Sequence, residues 1–423
     1  MSEIFIPPLK KRIKKEINVP SDKSITHRAL LLSSISKGKS QIFNPLISED
    51  TKRTINLVKE LGAKVDIDAN KWVVTPPKSF NFDFDFYSGN SGTTTRISSG
   101  LLASIDGHFT ILGDASLSQR PMKRIIEPLS EMGAKISCEN YKLPMTIIGG
   151  NLRGIDYWLK IPSAQVKSSI MFAALRATGK TTIRGAINSR NHTEIMFKNS
   201  GVDIEINDNY IEITPSLPTS LNYRIPGDFS SAAYFIAMGL ISKKVDLIIK
   251  SVNLNKTRTG MFQVLEKMNA KFEIKNFKND IEPIGDIVPV FSNMINLKNI
   301  DENLIPFMID EIPILVLIQS QSEGRVIFKN LSELRRKETD RINALVQNFE
   351  KIGVKIEELN DGFIVEGPQE IKGGEINSFN DHRISMTFAI AGLISKEGIK
   401  IKNSNCVDVS FPNFFEIIKG FFS

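Results

Sequence analysis

Glu131-Met-Gly-Ala-Lys-Ile-Ser-Cys138 repeats an earlier stretch, Glu60-Leu-Gly-Ala-Lys-Val-Asp-Ile67, almost residue for residue. Three weaker copies follow: Asn199-Ser-Gly-Val-Asp-Ile-Glu-Ile206, Lys267-Met-Asn-Ala-Lys-Phe-Glu-Ile274 and Lys351-Ile-Gly-Val-Lys-Ile-Glu-Glu358. Each closes an amphipathic helix at a residue expected in the left-handed region, Gly in four copies and Asn269 in one, and then alternates like a strand. A chain that repeats its helix-to-strand joint is built from repeated units.

A second piece recurs six times: a polar start, then a helix of small and apolar residues. The starts are Ser21-Asp-Lys-Ser, Gly89-Asn-Ser-Gly-Thr, Pro162-Ser-Ala-Gln, Pro226-Gly-Asp-Phe-Ser, Asp310-Glu-Ile-Pro and Asn380-Asp-His-Arg, at intervals of roughly 70 residues. The helices that follow, over 29–35, 97–103, 170–175 and 386–394, are apolar nearly all round, which marks them as buried. Three units closing around three buried helices make one domain, and six units make two similar domains of class α/β. Parallel buried helices would gather their N-termini, with free N–H groups and partial positive charge, at one end of each domain. The turn at Ile225-Pro-Gly-Asp, matched by Val19-Pro-Ser-Asp, sets the expected boundary. Residues 21–225 form the first domain; 1–20 and 226–423 form the second; the active site is expected in the cleft between them.

Composition narrows the partners. At 423 residues the chain exceeds one ordinary core. A net charge of +7 favours anionic partners. No Lys/Arg tract is interleaved with aromatic residues, so nucleic acid is not the expected one. Two cysteines and four histidines make neither a disulfide framework nor a metal site. No apolar run reaches a membrane span and the start lacks a signal peptide's apolar core, so the expected location is cytoplasmic.

The densest charge lies in Glu333-Leu-Arg-Arg-Lys-Glu-Thr-Asp-Arg341, ahead of an amphipathic run from Ile342 to Ile352. On charge alone this is a solvated first turn of a helix. Cations at a helix start oppose its dipole, however. Lys337 and Arg341, four apart with Glu338 beside them, would share one helical face suited to an anion and a proton-transferring carboxyl. Lys23-Ser-Ile-Thr-His-Arg28 puts two cations at another helix start. Asn90-Ser-Gly-Thr-Thr-Thr-Arg96 is similar to a phosphate-cradling loop in which Gly92 admits close approach. Gln119-Arg-Pro121, Ser163-Ala-Gln-Val-Lys167 and Ser189-Arg-Asn-His-Thr-Glu194 are individually modest.

In order and spacing, from Pro20 to Pro412, the set resembles the 5-enolpyruvylshikimate-3-phosphate synthases of the enolpyruvyl transferase family. Ser163-Ala-Gln-Val-Lys and Arg190-x-His-x-Glu resemble its class II members. The resemblance implies two domains of three βαβαββ units each, an inside-out α/β barrel with parallel helices buried within sheets. It implies a monomeric enzyme that needs no metal or cofactor. Its reaction joins phosphoenolpyruvate to the 5-hydroxyl of shikimate 3-phosphate by addition and elimination, releasing phosphate. By position, shikimate 3-phosphate would meet Lys23, Ser24, Arg28, Ser163, Gln165, Arg190, Asp310 and Lys337. Phosphoenolpyruvate would meet Lys23, Gly92, Arg120, Gln165, Arg341, His382 and Arg383. The catalytic residues would be Asp310, with Lys23, taking the hydroxyl proton, and Glu338 protonating the methylene carbon. The chain departs from the family pattern at Val409, where many members carry Lys, with Lys402 or Lys396 as conceivable substitutes. Three other readings stand beside this one: the sister UDP-N-acetylglucosamine transferases, whose loop Cys is missing from 114–120; an RNA-binding repeat protein; and an inactive relative.

Overall fold

In every copy of the helix-closing piece the expected residue is left-handed. φ is +94° at Gly62, +109° at Gly133, +71° at Gly201, +87° at Gly353 and +58° at Asn269. The joint is closed by the same two bonds each time. Ala63 N donates to Val58 O (2.9 Å) and Gly62 N to Lys59 O (2.8 Å), and the pattern returns at Gly133, Gly201, Asn269 and Gly353. Both orphan carbonyls of the last turn are thereby satisfied, and Asn serves once because it tolerates this region better than other side-chain-bearing residues.

The computed structural model describes residues 2–294, 297 and 299–422. The chain divides into two compact units, Ser21–Ile225 and Met1–Pro20 with Pro226–Ser423. The first carries helices α1 (Lys23–Ser34), α2 (Glu49–Glu60), α3 (Gly92–Ala103), α4 (Ala115–Gln119), α5 (Lys123–Glu131), α6 (Ala164–Ala174) and α7 (His192–Asn199). Its middle repeat runs strand Asp83–Tyr87, α3, strand Gly107–Leu112, α5, then the hairpin Lys135–Cys138 and Met145–Gly149, with α4 inserted. The first two strands pair in parallel and the rest antiparallel, which is the βαβαββ unit. Strand Asp156–Leu159 and its successors repeat the pattern around α6 and α7. The first repeat completes its sheet with Asn222–Arg224 from the far end of the unit, parallel to Ser40–Phe43.

The other unit carries α8 (Phe229–Ile241), α9 (Gly260–Lys267), α10 (Ile312–Ser320), α11 (Arg341–Lys351), α12 (His382–Ile394) and α13 (Phe414–Lys419). The chain's first residues supply edge strands here. Ile13–Asn18 lies parallel to Val245–Asn253, and Glu3–Ile6 antiparallel to Ile399–Lys402. The core runs through α8, α10 and α12, where Phe229, Phe235, Leu317 and Phe388 are wholly buried. Each such side chain contributes about 1.5–3 kcal/mol.

In the unit Ser21–Ile225 the buried helices are α1, α3 and α6, as their all-round apolar character requires. α3 and α6 cross so closely that a Cβ on Gly100 would sit 1.8 Å from Ser169 O. Among the described residues no helix is long and apolar enough to cross a membrane.

Candidate active site

The buried helices of the unit Ser21–Ile225 start at one end. Gln165, second residue of α6, donates to Thr93 Oγ1 (3.1 Å), on the second residue of α3, and accepts from Arg96 Nη1 (3.0 Å). Arg28 of α1 donates to Ala164 O (3.4 Å) and Ser168 Oγ (2.9 Å) on the first turns of α6. Asp22, Ser91 and Ser163 cap the three helices through their side chains. Each cap satisfies one of the exposed N–H donors and leaves others to face an anion.

Around these starts lie the expected cations. Lys23 Nζ is 2.9 Å from Asp50 Oδ2. Arg120 Nη2 donates to Asn90 Oδ1 (2.5 Å), and Asn90 in turn donates to Asp114 Oδ2 (2.7 Å). Arg190 Nη1 donates to Ser24 Oγ (3.4 Å). A Cβ on Gly92 would stand 3.0 Å from Arg96 Nη1 and 3.5 Å from Arg120 Nη1, so the glycine keeps the first turn of α3 open between two guanidinium groups. Lys23, Ser24, Arg28, Gly92, Arg120, Ser163, Gln165 and Arg190 therefore share one end of this unit. Arg28 is 2% exposed and also donates to Thr193 Oγ1 (2.8 Å) and Ser24 O (3.0 Å), so it braces the helix starts as well as charging them. Behind it, buried His27 Nδ1 meets Thr54 Oγ1 at 2.6 Å, Thr54 meets Thr94 at 2.7 Å, and Thr94 meets the capping Ser91 at 2.7 Å. Burial, helped by Lys23 and Arg28, holds the His27 imidazole well below its ordinary value and therefore neutral.

In the other unit the starts of α8, α10 and α12 also meet. Ser230 of α8 donates to Glu311, the residue before α10, and Asp381 caps α12 while accepting from Arg341 Nε at 2.7 Å. Asp310 Oδ1 is the focus: Arg341 Nη1 lies at 3.5 Å, Arg383 Nε at 3.7 Å and Lys337 Nζ at 3.9 Å. Arg341 Nη2 donates to Glu338 Oε2 at 2.5 Å. Burial disfavours the charge on Arg341, yet Asp381, Glu338 and Asp310 outweigh it, and the guanidinium is held above its ordinary value. Arg383 is raised likewise, with Asp310 its strongest partner. His382 opens α12 and is buried. Asp310, Lys337, Glu338, Arg341 and Arg383 thus converge.

They do not converge by the route expected from spacing. Lys337 and Arg341 do not share a helical face with Glu338 beside them, because α11 begins only at Arg341. A short 3-10 turn, Ser332–Arg336, ends in extended backbone at Lys337 (ψ −153°). Asp340 then caps α11 by accepting from Asn343 N at 3.1 Å. The acid at the cap suits the dipole, and of the cluster's cations Arg341 alone stands inside the helix, whereas a helix starting at Glu333 would hold four of them in its first turns. Arg335 serves structure, binding Asp340 and Glu358 at 2.8 Å each. Glu333 turns to Lys337, 3.0 Å away. Of the two lysines named as substitutes at Val409, Lys396 pairs with Glu370 and Lys402 with Glu375, both in solvent-exposed ion pairs.

Several polar residues at these ends escaped the sequence reading. Arg258 is buried and donates to Asp228 Oδ1 (2.6 Å) and Ser230 Oγ (2.9 Å). Asp50, in the first turn of α2, holds Lys23. Arg96, quoted only as the end of a Gly/Ser/Thr loop, holds Gln165. Asp381 looked like part of a polar start yet is wholly buried beneath Arg341. Arg96 and Asp381 could be seen only as polar residues at the starts of buried helices, and Asp50 and Arg258, on or beside other helices, gave no signal.

Six buried helices in two triplets, each triplet gathering cations at its helix starts, define a class of fold. It is shared with the enolpyruvyl transferase NikO from Streptomyces tendae, at a TM-score of 0.81 over 99% of this chain and 97% of that one, although only 12% of residues are identical. Likeness in sequence goes further. The family profile described as EPSP synthase (3-phosphoshikimate 1-carboxyvinyltransferase) matches residues 8–418. A 3-phosphoshikimate 1-carboxyvinyltransferase of Thermotoga neapolitana is 43% identical, covering 97% of each chain. The EPSP synthase structure from Acinetobacter baumannii superposes with a TM-score of 0.87 at 34% identity, over 99% of this chain and 98% of that one. The chain belongs to the EPSP synthase family, and with it to the transferases of aromatic amino acid biosynthesis.

Proposed function

We propose that the two helix-start clusters serve one reaction, the transfer of the enolpyruvyl group of phosphoenolpyruvate to the 5-hydroxyl of 3-phosphoshikimate. The observation that carries it is the focus on Asp310: one carboxylate oxygen within 4.0 Å of Lys337, Arg341 and Arg383, with Glu338 bound to the same Arg341. A base and a separate acid among fixed cations is what joining two polyanions by proton transfer requires.

Lys23, Ser24, Arg28, Ser163, Gln165 and Arg190 receive 3-phosphoshikimate from one domain, Asp310 and Lys337 from the other. Lys23, Gly92, Arg120, Gln165, Arg341, His382 and Arg383 receive phosphoenolpyruvate, whose carboxylate and phosphate both suit bidentate guanidinium forks. Asp310, with Lys23, takes the proton of the 5-hydroxyl as its oxygen attacks the second carbon of phosphoenolpyruvate. Glu338 gives a proton to the methylene carbon. Phosphate then leaves as that carbon surrenders a proton, restoring the double bond. An anion arriving on Arg341 competes with Glu338 for the guanidinium and so favours the protonated carboxyl that the addition step needs. Orientation and fixed charge supply most of the rate. In the same reading the protein is a cytoplasmic monomer that binds no nucleic acid.

The addition step leaves an isotopic mark. With both substrates in D2O, the proton given to the methylene carbon comes from solvent, so the product's vinyl group carries deuterium by mass spectrometry and NMR. A product formed at full rate without label would overturn addition followed by elimination.

A further inference from the structure

One ion pair at the end of the unit Ser21–Ile225 has no task in that reaction. The side chains of Lys167, on α6, and Glu194, on α7, are only 1% and 4% exposed. Each ammonium hydrogen has an acceptor: Glu194 Oε1 at 2.5 Å, Ile187 O at 3.0 Å and Ser189 O at 3.3 Å. Glu194 Oε2 is buried without a hydrogen-bond partner among the described residues. Two well-packed apolar side chains commonly serve stability as well as such a pair, or better. The placement of its acceptors suggests what else it does.

The two carbonyls that Lys167 grips belong to the loop between strand Thr181–Gly185 and α7, and the second immediately precedes Arg190. Arg190 reaches Ser24 Oγ from that loop. Beyond it, Thr193 accepts from Arg28 Nε at 2.8 Å and meets Ser168 Oγ at 2.6 Å. The segment 187–194 is therefore pinned before Arg190 by Lys167 and after it by Thr193 and Glu194. Its arginine would otherwise ride on a loop free to shift against the helix starts.

We propose that Lys167 and Glu194 are positioning residues for Arg190, setting the affinity for 3-phosphoshikimate without touching it. The proposal rests on the reading of Arg190 as a contact of that substrate. It follows that the pair governs one substrate and not the other.

The test compares four proteins: the parent, Lys167→Met/Glu194→Leu, Arg190→Ala, and the combination of all three substitutions. The apolar pair removes both charges together, so neither is left buried alone and the fold is retained. Its KM for 3-phosphoshikimate is expected to rise about tenfold or more, with kcat and the KM for phosphoenolpyruvate within about threefold of the parent. Arg190→Ala is expected to raise the same KM in the parent and to add little once the pair is gone, because both changes remove one interaction. A parental KM in the apolar-pair variant overturns the proposal. So do additive effects of the pair and Arg190, an equal rise in both KM values, or an apolar pair that does not fold and so reveals a purely structural role. If Arg190→Ala leaves the parent's KM unmoved, the reading of Arg190 fails first and the proposal with it.

Discussion

Two glycine-to-alanine changes in α3, two turns apart, should have opposite consequences. At Gly100 a Cβ would stand 1.8 Å from Ser169 O, 2.6 Å from Ser169 C and 2.9 Å from its Cα. These are backbone atoms of α6, so no rotamer change relieves the clash, and the helices must part by more than an ångström. Alanine returns about 1 kcal/mol of helix propensity. Overpacking costs typically 1–3 kcal/mol and more where backbone must move, and contacts along both helices weaken with distance. The net is a destabilisation of about 2–4 kcal/mol, or a fall of roughly 4–15 °C in the melting temperature of a unit this size. Gly92→Ala instead meets side-chain ends, Arg96 Nη1 at 3.0 Å, Arg120 Nη1 at 3.5 Å and Leu117 Cδ1 at an ordinary 3.6 Å, and the guanidinium groups can move aside. It should leave the melting temperature within about 2 °C and raise the KM for phosphoenolpyruvate about tenfold, the effect of about 1.4 kcal/mol of lost binding. Calorimetry and steady-state kinetics on both variants decide the matter. A Gly100→Ala protein as stable as its parent would refute the close crossing of α3 and α6, and a Gly92→Ala protein with unchanged KM would refute the placement of phosphoenolpyruvate at the start of α3.

Asp310→Asn should lower kcat by about 10²–10⁴-fold, since only the base is lost, with both KM values changing far less. A KM effect alone would reduce Asp310 to a binding group. Glu333→Gln frees Lys337 from a partly exposed pair and should lower the KM for 3-phosphoshikimate by no more than about fivefold, an effect that fades with salt; a rise would show that Glu333 itself contacts substrate. His27 is held neutral by burial, so its folded value lies below its unfolded one. As pH falls through the unfolded histidine range, near 6.5, the unfolded chain gains a proton that the folded chain refuses, and stability declines by up to about 1.4 kcal/mol per unit. In His27→Asn that part of the slope between pH 7 and pH 5 should vanish, as urea denaturation at several pH values would show. An unchanged slope would mean that His27 is protonated in the fold.

What the sequence made legible was whatever depends on local rules. A left-handed residue after a helix needs Gly or Asn wherever it occurs, so Gly62, Gly133, Gly201, Asn269 and Gly353 announced the repeat and took the expected conformation. Helices without a polar face had to be buried. The cations at the helix starts were visible because the apolar helices behind them left little surface for ordinary lysines and arginines. What failed was the register of a single turn. Spacing put Lys337 and Arg341 on one face, but Asp340 is the better cap, and the helix waits for it. What remained hidden were partners across the fold. Nothing near Asp50 names Lys23, nothing near Arg258 names Asp228, and a lysine inside α6 gives no sign that three acceptors surround it. Buried pairs are written at two distant places in the chain, and only packing joins them.

The most direct measurement is phosphate release by the purified protein, given phosphoenolpyruvate and 3-phosphoshikimate, beside Glu338→Gln. Release should require both substrates and fall about 10²–10⁴-fold in the variant, which keeps the shape of Glu338 and loses its proton. Release at the parental rate from Glu338→Gln, or from phosphoenolpyruvate alone, would contradict the assignment of acid and acceptor on which the account rests.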